Sequence, residues 1–156
     1  MTAVRPGRVM RAVFRAPVRV YDRGFGWVFG RRFLCLTHVG RRSGRTYRTV
    51  LEVIGVEDGE YFVVAGLGAG ADWYRNIQAR PPVEVVVGRR RFVPGHRVLA
   101  EGEAVAVLAA YEHRNRWVAP VLRRVLSKLL GWRYDGSAAA RRRMAGQLPI
   151  VGLRES

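Results

Sequence analysis

Arginines are concentrated in one short turn, within the stretch THVGRRSGRTYRTV at residues 37–50. Arg41, Arg42 and Arg45 surround Ser43, and a glycine stands on each side of the Arg41–Ser43 triplet. Guanidinium groups carry forked donors that match phosphate or carboxylate oxygens. The two glycines let successive backbone N–H groups turn toward one concavity. The pattern therefore predicts either an anion-binding site or a solvated basic turn.

A second candidate site is the stretch AGLGAGADWYRN at residues 65–76. Its small residues allow the close approach of a flat ligand. Asp72 is a predicted N-cap, and a helix that begins there favours a nearby negative charge. Trp73 and Tyr74 are suited to wall a planar ring, and Asn76 is suited to hydrogen-bond to it. The alternative for Trp73 is a core residue that anchors the helix.

Other kinds of chemistry have little support in the sequence. The three histidines, His38, His96 and His113, lie in distant segments, and no pair has the spacing of metal ligands. Each is predicted to be a polar residue of the surface or of a turn. Ser43 lacks the G-x-S-x-G pattern of a hydrolase nucleophile. The single cysteine, Cys35, lies in an apolar run and is predicted to be a core residue.

The chain has 156 residues and a net charge of +16, and Lys128 is the only lysine among its 28 basic residues. Such a charge indicates an anionic partner, which is nucleic acid, an acidic membrane surface or a phosphorylated ligand. A codon bias toward arginine is the alternative explanation. No nucleic-acid-binding motif, membrane-spanning segment or signal peptide is recognisable, so a cytoplasmic protein is expected.

The hydrophobic pattern predicts an α+β fold. Strands are expected at residues 32–38, 48–56, 61–66, 83–87, 90–100 and 148–153, the fifth bent or bulged at Pro94-Gly95. A short inserted helix at 72–79 should end before Pro81, and residues 101–130 should be helical. About six mostly antiparallel strands with these helices make a small barrel. Residues 31–156 are then one domain, preceded by a basic aromatic arm at 1–30 that is suited to contact an anionic membrane.

The order of these motifs is similar to that of a known family. LTHVGRRSGRTYRTVLEV followed by VVAGLGAGADWYRNIQARPPVEV resembles the deazaflavin-dependent nitroreductases, small split β-barrel oxidoreductases that use coenzyme F420. The similarity runs from about residue 33 to residue 87, and LPIVGL resembles the closing strand of the family. The resemblance implies a split barrel related to the flavin reductases and hydride transfer from reduced F420 to a small-molecule acceptor.

The resemblance also implies a set of cofactor-binding residues. Arg41, Arg42 and Ser43 would hold the phosphate and the acidic tail of the coenzyme. Arg48 and the start of the second strand would lie along the ring and the ribityl chain. Further residues are implied to line the rest of the pocket. The full set is Arg41, Arg42, Ser43, Arg48, Val50, Leu51, Glu52, Ala65, Gly66, Leu67, Gly68, Asp72, Trp73, Tyr74 and Asn76.

The sequence leaves the acceptor and several alternatives open. Family members that reduce nitroimidazoles usually carry a longer loop with a lysine near the position of Gly68, so a quinone-like acceptor is favoured over a nitroimidazole. Tyr111 and Tyr134 are candidate proton donors, with packing as the alternative role. The other hypotheses are an FMN-dependent reductase, a non-catalytic coenzyme-binding protein and a basic module that binds nucleic acid or a membrane. A homodimer through the apolar face of the C-terminal helix is a further possibility.

Overall fold

Strands and helices are described by a computed structural model for residue 23, residues 30–66 and residues 68–156. The predicted arm at 1–30 therefore lies almost wholly outside the described residues. The strands are β1 Phe33–Val39, β2 Thr46–Glu57, β3 Glu60–Val64, β4 Glu84–Val87, β5 Arg90–Phe92, β6 Pro94–Val98 and β7 Ile150–Glu155. The helices are α1 Asp72–Ala79, α2 Glu101–Arg114, α3 Ala119–Leu130 and α4 Ala138–Gln147, with 3-10 turns at Gly68–Gly70 and Arg116–Val118.

The strands form one antiparallel sheet that curls into a nearly closed barrel. Their order is β5-β4-β1-β2-β3-β7-β6, so β5 and β6 lie at its two ends. Only Val93 separates these two strands along the chain, and its carbonyl accepts a hydrogen bond from the Ser156 amide at 3.1 Å. The predicted α+β split barrel is confirmed, with seven strands in the described residues rather than about six. The difference arises because the fifth predicted strand divides at Val93, where its halves pair with β4 and with β7.

The helices follow the predicted segments with one difference. α1 ends at Ala79, two residues before Pro81, as predicted. The helical region at 101–130 divides at Asn115, whose side-chain amide donates to the carbonyl of Tyr111. The chain then passes through a 3-10 turn into α3. Within the described residues, no helix is long and apolar enough to cross a membrane.

Alternating side chains of the strands enter two separate apolar clusters. On β3, Tyr61 and Val63 point into the barrel, whereas Phe62 points toward the helices. This alternation follows from the two-residue period of a strand. Trp73 and Ile77 of α1 belong to the barrel cluster. Residues of α2, α3 and α4 join the outer cluster, whose members include Ile54, Phe62, Ala104, Leu108, Leu130, Tyr134, Ala140, Met144 and Ile150.

A buried carboxylate lies among β3, β6 and β7. Glu60 is 6% exposed, and both of its carboxylate oxygens accept hydrogen bonds from Arg97, at 2.9 and 2.7 Å. Arg97 also bonds Glu103 at the start of α2. A Cβ atom added to Gly152 would lie 2.5 Å from Oε2 of Glu60, so the glycine leaves the space that the carboxylate occupies.

Cys35 lies at the centre of β1, as its apolar surroundings predict. The side chain is fully buried, and its strand pairs with β2 on one side and with β4 on the other. Burial raises the pKa of the thiol to about 12, and the charge of Glu84 acts in the same direction. The thiol is therefore protonated at neutral pH and has the character of a small apolar core residue.

Candidate functional site

The turn between β1 and β2 is fixed by its own hydrogen bonds. The Gly40 amide donates to the Arg45 carbonyl at 2.8 Å, and the Gly44 amide donates to the Gly40 carbonyl at 2.9 Å. The Ser43 hydroxyl accepts from the Arg45 amide at 3.2 Å and lies 3.1 Å from the hydroxyl of Tyr47. Gly44 has a φ of +69°, a conformation that suits glycine. The turn therefore presents its arginines from a defined backbone.

Arg41 points back toward α1 and joins the turn to that helix. Its amide and its Nη1 both donate to Oδ1 of Asn76, at 3.1 and 2.8 Å. Its Nη2 lies 3.2 Å from Oδ1 of Asp72. Asp72 is the first residue of α1 and its side chain does not cap the helix, so the prediction of an N-cap at this position is wrong. Because Arg41 and Asn76 bond each other, both act in fixing the shape of the site.

His38 continues this network into the barrel. Nδ2 of Asn76 donates to Nδ1 of His38 at 3.0 Å, so Nδ1 is the acceptor and Nε2 carries the proton. Nε2 then donates to Oγ1 of Thr49 at 3.1 Å. The ring is 3% exposed, and burial lowers its pKa to about 4 despite the opposing charge of Asp72. The prediction of a surface histidine is wrong here, because His38 shares the inward face of β1 with Leu36.

Acid should destabilise the fold through His38. The folded-state pKa of about 4 lies below the ordinary value of 6.5, so the unfolded chain binds a proton first as the pH falls. The free energy of unfolding should therefore decrease between pH 6.5 and pH 4, by up to about 1.4 kcal/mol per pH unit, and this effect should level off below pH 4. Urea denaturation across this pH range measures it.

The matched control for this effect is His38→Gln, which keeps a polar side chain and removes the titration. The variant should be less stable than the parent at pH 7 because the network is altered. Its stability should nevertheless fall less steeply between pH 6.5 and pH 4. Equal slopes for the two proteins would show that His38 is not the group responsible.

Three exposed arginines surround the outer side of the turn. Arg42 and Arg45 belong to it, and Nη1 of Arg80 lies 4.0 Å from the position of a Cβ atom on Gly44. None of the three forms an ion pair with an acid in the part of the chain that the structure describes. Together they form a cationic surface with free donors, which we call the arginine cluster (Arg42, Arg45 and Arg80).

Arg80 is a residue that sequence reasoning missed. It follows α1 directly and precedes the two prolines that end the helix. The segment after it returns along the end of β1, where the Val83 amide donates to the Thr37 carbonyl at 2.9 Å. Arg80 can be read from the sequence as a basic residue before two prolines. Its proximity to the turn, however, depends on the hydrogen bond between Val83 and Thr37.

The segment of β2 that was predicted to line the pocket presents two different faces. Leu51 packs against the barrel core, whereas Val50 and Glu52 lie on the opposite face of the strand. All three are half-buried, as is Arg48. The side chains of Val50 and Glu52 can therefore face one ligand, while Leu51 supports them from behind.

The predicted residues beyond β3 are also divided between core and surface. Ala65 is buried, Gly66 and Gly68 are partly exposed, and Leu67 lies outside the described residues. Trp73 points into the barrel cluster, and Tyr74 meets its ring edge-on at a centroid distance of 6.0 Å. Trp73 thus takes the position of a core anchor, which was the alternative role in the sequence analysis.

The two candidate tyrosines lie in different environments. The hydroxyl of Tyr111 donates to Oε1 of Glu52 at 2.9 Å, beside the strand predicted to follow the coenzyme. Burial, with the charge of Glu52, raises the pKa of Tyr111 to about 12. Tyr134 is 2% exposed, and its hydroxyl donates to Glu112, which also accepts from Arg141. Of the two phenols, Tyr111 is therefore the one that lies next to the predicted pocket.

Neither of two surface cavities coincides with the arginine turn. One, of about 300 Å³, lies among α2, α3 and α4 and is lined by Glu112, Arg116 and Leu122 among others. The other, of about 470 Å³, lies along α3. No group of three or more histidine, cysteine or acidic residues that could hold a metal ion occurs within the described residues.

The sequence matches one family model over most of its length. This model is described as F420H(2)-dependent quinone reductase and covers residues 13–125, which is more than two thirds of the chain. No curated protein matches the sequence.

Two solved structures of low sequence identity are among those that match the chain. An F420-H2-dependent reductase (FDR-A) is 22% identical and aligns over 80% of this chain and 96% of its own, with a TM-score of 0.47. A pyridoxamine 5'-phosphate oxidase-related, FMN-binding protein from Nostoc punctiforme is 14% identical and aligns over 90% of this chain and 78% of its own, with a TM-score of 0.52. At such identity the second similarity supports the split-barrel fold alone.

Proposed function

Since the chain belongs to the F420H(2)-dependent quinone reductase family and is an F420H2-dependent oxidoreductase, we propose that its acceptor is a quinone-like molecule and that the arginine cluster binds the coenzyme tail. The resemblance seen in the sequence is thereby confirmed at the level of the family. F420 is the cofactor of this family.

The observation that carries the proposal is the arginine cluster. The F420 tail contains one phosphate and several carboxylates. Arg42, Arg45 and Arg80 provide exposed guanidinium donors at one place, and Arg41 holds the turn against α1 through Asn76. This donor set fits a polyanion better than it fits a neutral ligand. We therefore assign Arg42, Arg45 and Arg80 to the tail, with Ser43 and Arg41 fixing the turn.

The ring of the coenzyme would lie along β2 and the Gly-rich loop. Val50 and Glu52 face away from the barrel core, and Gly66 and Gly68 follow the end of β3 and are partly exposed. When bound, the reduced coenzyme supplies the hydride. The chain's part is to orient the ring and the acceptor and to exclude water from them. Arg48, Ala65 and Tyr74 adjoin these segments and complete the proposed pocket.

Reduction of a quinone to a hydroquinone needs a proton as well as a hydride. Tyr111 is placed to supply that proton because its hydroxyl bonds Glu52 on β2, the strand along which the ring would lie. Its hydroxyl now donates to Glu52, so it would have to turn from that carboxylate to an acceptor oxygen. Solvent would then return the proton to the phenol.

We expect Tyr111→Phe to lower kcat for a quinone by about a hundredfold, the lower end of what a positioned general acid contributes. Binding of F420 should change little, because the substitution removes only the hydroxyl. Tyr134→Phe is the matched control and should leave kcat unchanged, since that hydroxyl bonds Glu112 away from the pocket. Steady-state assays with reduced F420 test both variants. An unchanged kcat for Tyr111→Phe would remove Tyr111 from the mechanism.

The function itself is tested by binding and turnover together. Oxidised F420 should quench the tryptophan fluorescence at micromolar or lower concentration, whereas FMN, which lacks the acidic tail, should bind more weakly. Reduced F420 should be consumed on addition of a short-chain quinone, faster than on addition of a nitroimidazole. Preference for the nitroimidazole would show that the proposed acceptor is wrong.

A further inference from the structure

An apolar stripe on α3 and the turn before it is exposed. Trp117 is 84% exposed and Val121 is 65% exposed, and Val118, Val125 and Leu129 are also open to solvent. These residues recur at helical spacing along one side of the helix. The other side contributes Leu122, Leu126 and Leu130, which are partly or fully buried. We call the exposed set the α3 stripe (Trp117, Val118, Val121, Val125 and Leu129).

Basic side chains border the α3 stripe. Arg116, Arg124 and Lys128 are exposed, and α3 contains no acidic residue. The guanidinium of Arg116 lies over the ring of Trp117, 5.2 Å from its centroid. An apolar face with a cationic border is the pattern of a helix that lies in the headgroup region of an anionic bilayer.

An arginine-lined cavity adjoins the same helix. It has a volume of about 470 Å³, and its walls include Arg123, Arg124, Arg133 and Asp135. Three arginines and one aspartate line it, so the lining has a net positive charge. It offers donors for the phosphate of a lipid headgroup beside the apolar stripe.

The α3 stripe also reaches the proposed cofactor pocket. Cδ2 of Leu129 lies 3.9 Å from the position of a Cβ atom on Gly66, in the loop that follows β3. A molecule that leaves the bilayer along the stripe would therefore arrive next to that loop.

The positive charge beside the α3 stripe favours a bilayer over a second copy of the chain as its partner. Two α3 stripes packed face to face would bring the rows of Arg124 and Lys128 close together, which is unfavourable for a protein of net charge +16. Anionic lipids would neutralise the same side chains. We propose that α3 docks on an anionic lipid bilayer with its stripe at the acyl boundary. That this contact delivers a membrane-dissolved acceptor toward Gly66 rests on the proposed function.

Vesicle sedimentation tests the docking surface. The full chain should sediment with phosphatidylcholine vesicles that contain phosphatidylglycerol and much less with phosphatidylcholine alone. Val121→Ser with Val125→Ser should weaken binding by about tenfold. Arg124→Gln with Lys128→Gln should weaken it by about fivefold for each cation removed, and added salt should abolish that difference.

Matched controls alter similar residues elsewhere on the surface. Val93→Ser with Val98→Ser removes exposed valines of the barrel, and Arg142→Gln with Arg154→Gln removes exposed cations away from α3. Both controls should bind vesicles like the parent, and thermal melts verify that every variant is folded. The proposal is overturned if the parent does not bind anionic vesicles, or if the α3 variants bind as the parent does. A parent dimer that the valine substitutions dissociate, without vesicle binding, would assign the stripe to a second copy instead.

Turnover of a short-chain quinone without vesicles separates this proposal from the proposed function. The α3 variants should reduce that quinone at the parent's rate and should be slower only with a long-chain quinone dissolved in vesicles. Failure of the parent to reduce the short-chain quinone would reject the proposed acceptor and leave the vesicle result unaffected. Equal rates for parent and variants in vesicles would reject delivery along α3.

Discussion

Replacing Arg42 and Arg45 together with alanine should weaken the binding of F420 by at least about a hundredfold. Each guanidinium can form charge-assisted hydrogen bonds worth about 1.5 to 3 kcal/mol, and two such losses exceed the free energy of a hundredfold change. Neither side chain has an acidic partner in the described parts of the chain, so its removal should leave the fold largely intact. Titration of fluorescence with oxidised F420 measures the change.

The control for this experiment removes the same charge elsewhere. Arg142→Ala with Arg154→Ala lowers the net charge by the same amount on exposed parts of α4 and β7, and it should alter affinity little. Titration with FMN adds a ligand-side control, because FMN has a phosphate but lacks the carboxylates of the tail. If the Arg42 and Arg45 double variant bound F420 as the parent does, the tail site would lie elsewhere.

Arg41 calls for a separate experiment, although the sequence places it in the same turn. Its side-chain contacts with Asn76 and Asp72 are internal, and Arg41→Ala would remove the Nη1 donor from the buried Asn76 oxygen while keeping the backbone amide donor. A loss of affinity in that variant would combine ligand contact with deformation of the turn. The pair Arg42 and Arg45 isolates the ligand contact.

The largest effect on stability is expected for Gly152→Ala. The added methyl group would lie 2.5 Å from Oε2 and 2.7 Å from Cδ of Glu60, so the carboxylate must move away from its bonds with Arg97. Overpacking of this kind costs about 1 to 3 kcal/mol, and disturbing a buried charged hydrogen bond adds to that cost. Urea denaturation should show a clear fall in the midpoint.

Gly95→Ala on the neighbouring strand is the matched control. Its added methyl group would meet the Arg154 carbonyl at 3.9 Å, an ordinary contact, so little change is expected. In a Glu60→Ala background the side chain that the added methyl group would meet is absent. Gly152→Ala should then lower the free energy of unfolding much less. If Gly152→Ala lowered the free energy of unfolding equally in both backgrounds, the glycine would not be required to accommodate the Glu60 carboxylate.

Local signals in the sequence were sufficient for most elements of the fold. Asp58 and Gly59 both have positive φ in the hairpin turn between β2 and β3, a conformation that an Asp-Gly pair favours. The prolines after α1 fix its end, and the alternation on β3 places Tyr61 inside and Phe62 outside. These features depend on residues near one another in the chain, so their chemistry is visible without the fold.

Features that depend on residues far apart in the sequence could not be predicted from it. The division at Val93 exists because β5 pairs with β4 while β6 pairs with β7, and β7 lies more than fifty residues further along the chain. His38 is buried because Asn76 and Thr49 satisfy both ring nitrogens. Without those partners, a histidine next to a basic turn has the features of a surface residue.

The candidate site shows the same distinction. The turn at Arg41 to Arg45 was identified from its composition, but its division into an inward Arg41 and outward Arg42 and Arg45 depends on α1. Arg80 lies near the turn only in the folded chain, so its place in the arginine cluster could not be predicted from the sequence. Sequence reasoning therefore identified where anions are expected and could not assign a separate task to each guanidinium.

The single cysteine, Cys35, allows opening of the barrel to be measured by thiol labelling. Cys35 is fully buried in a strand that pairs on both sides, so a thiol reagent can reach it only when the barrel separates. The rate of thiol labelling should therefore follow the population of the opened barrel when closing is fast relative to the reaction. A ligand that stabilises the closed barrel should slow the labelling, and no engineered probe is needed to observe it.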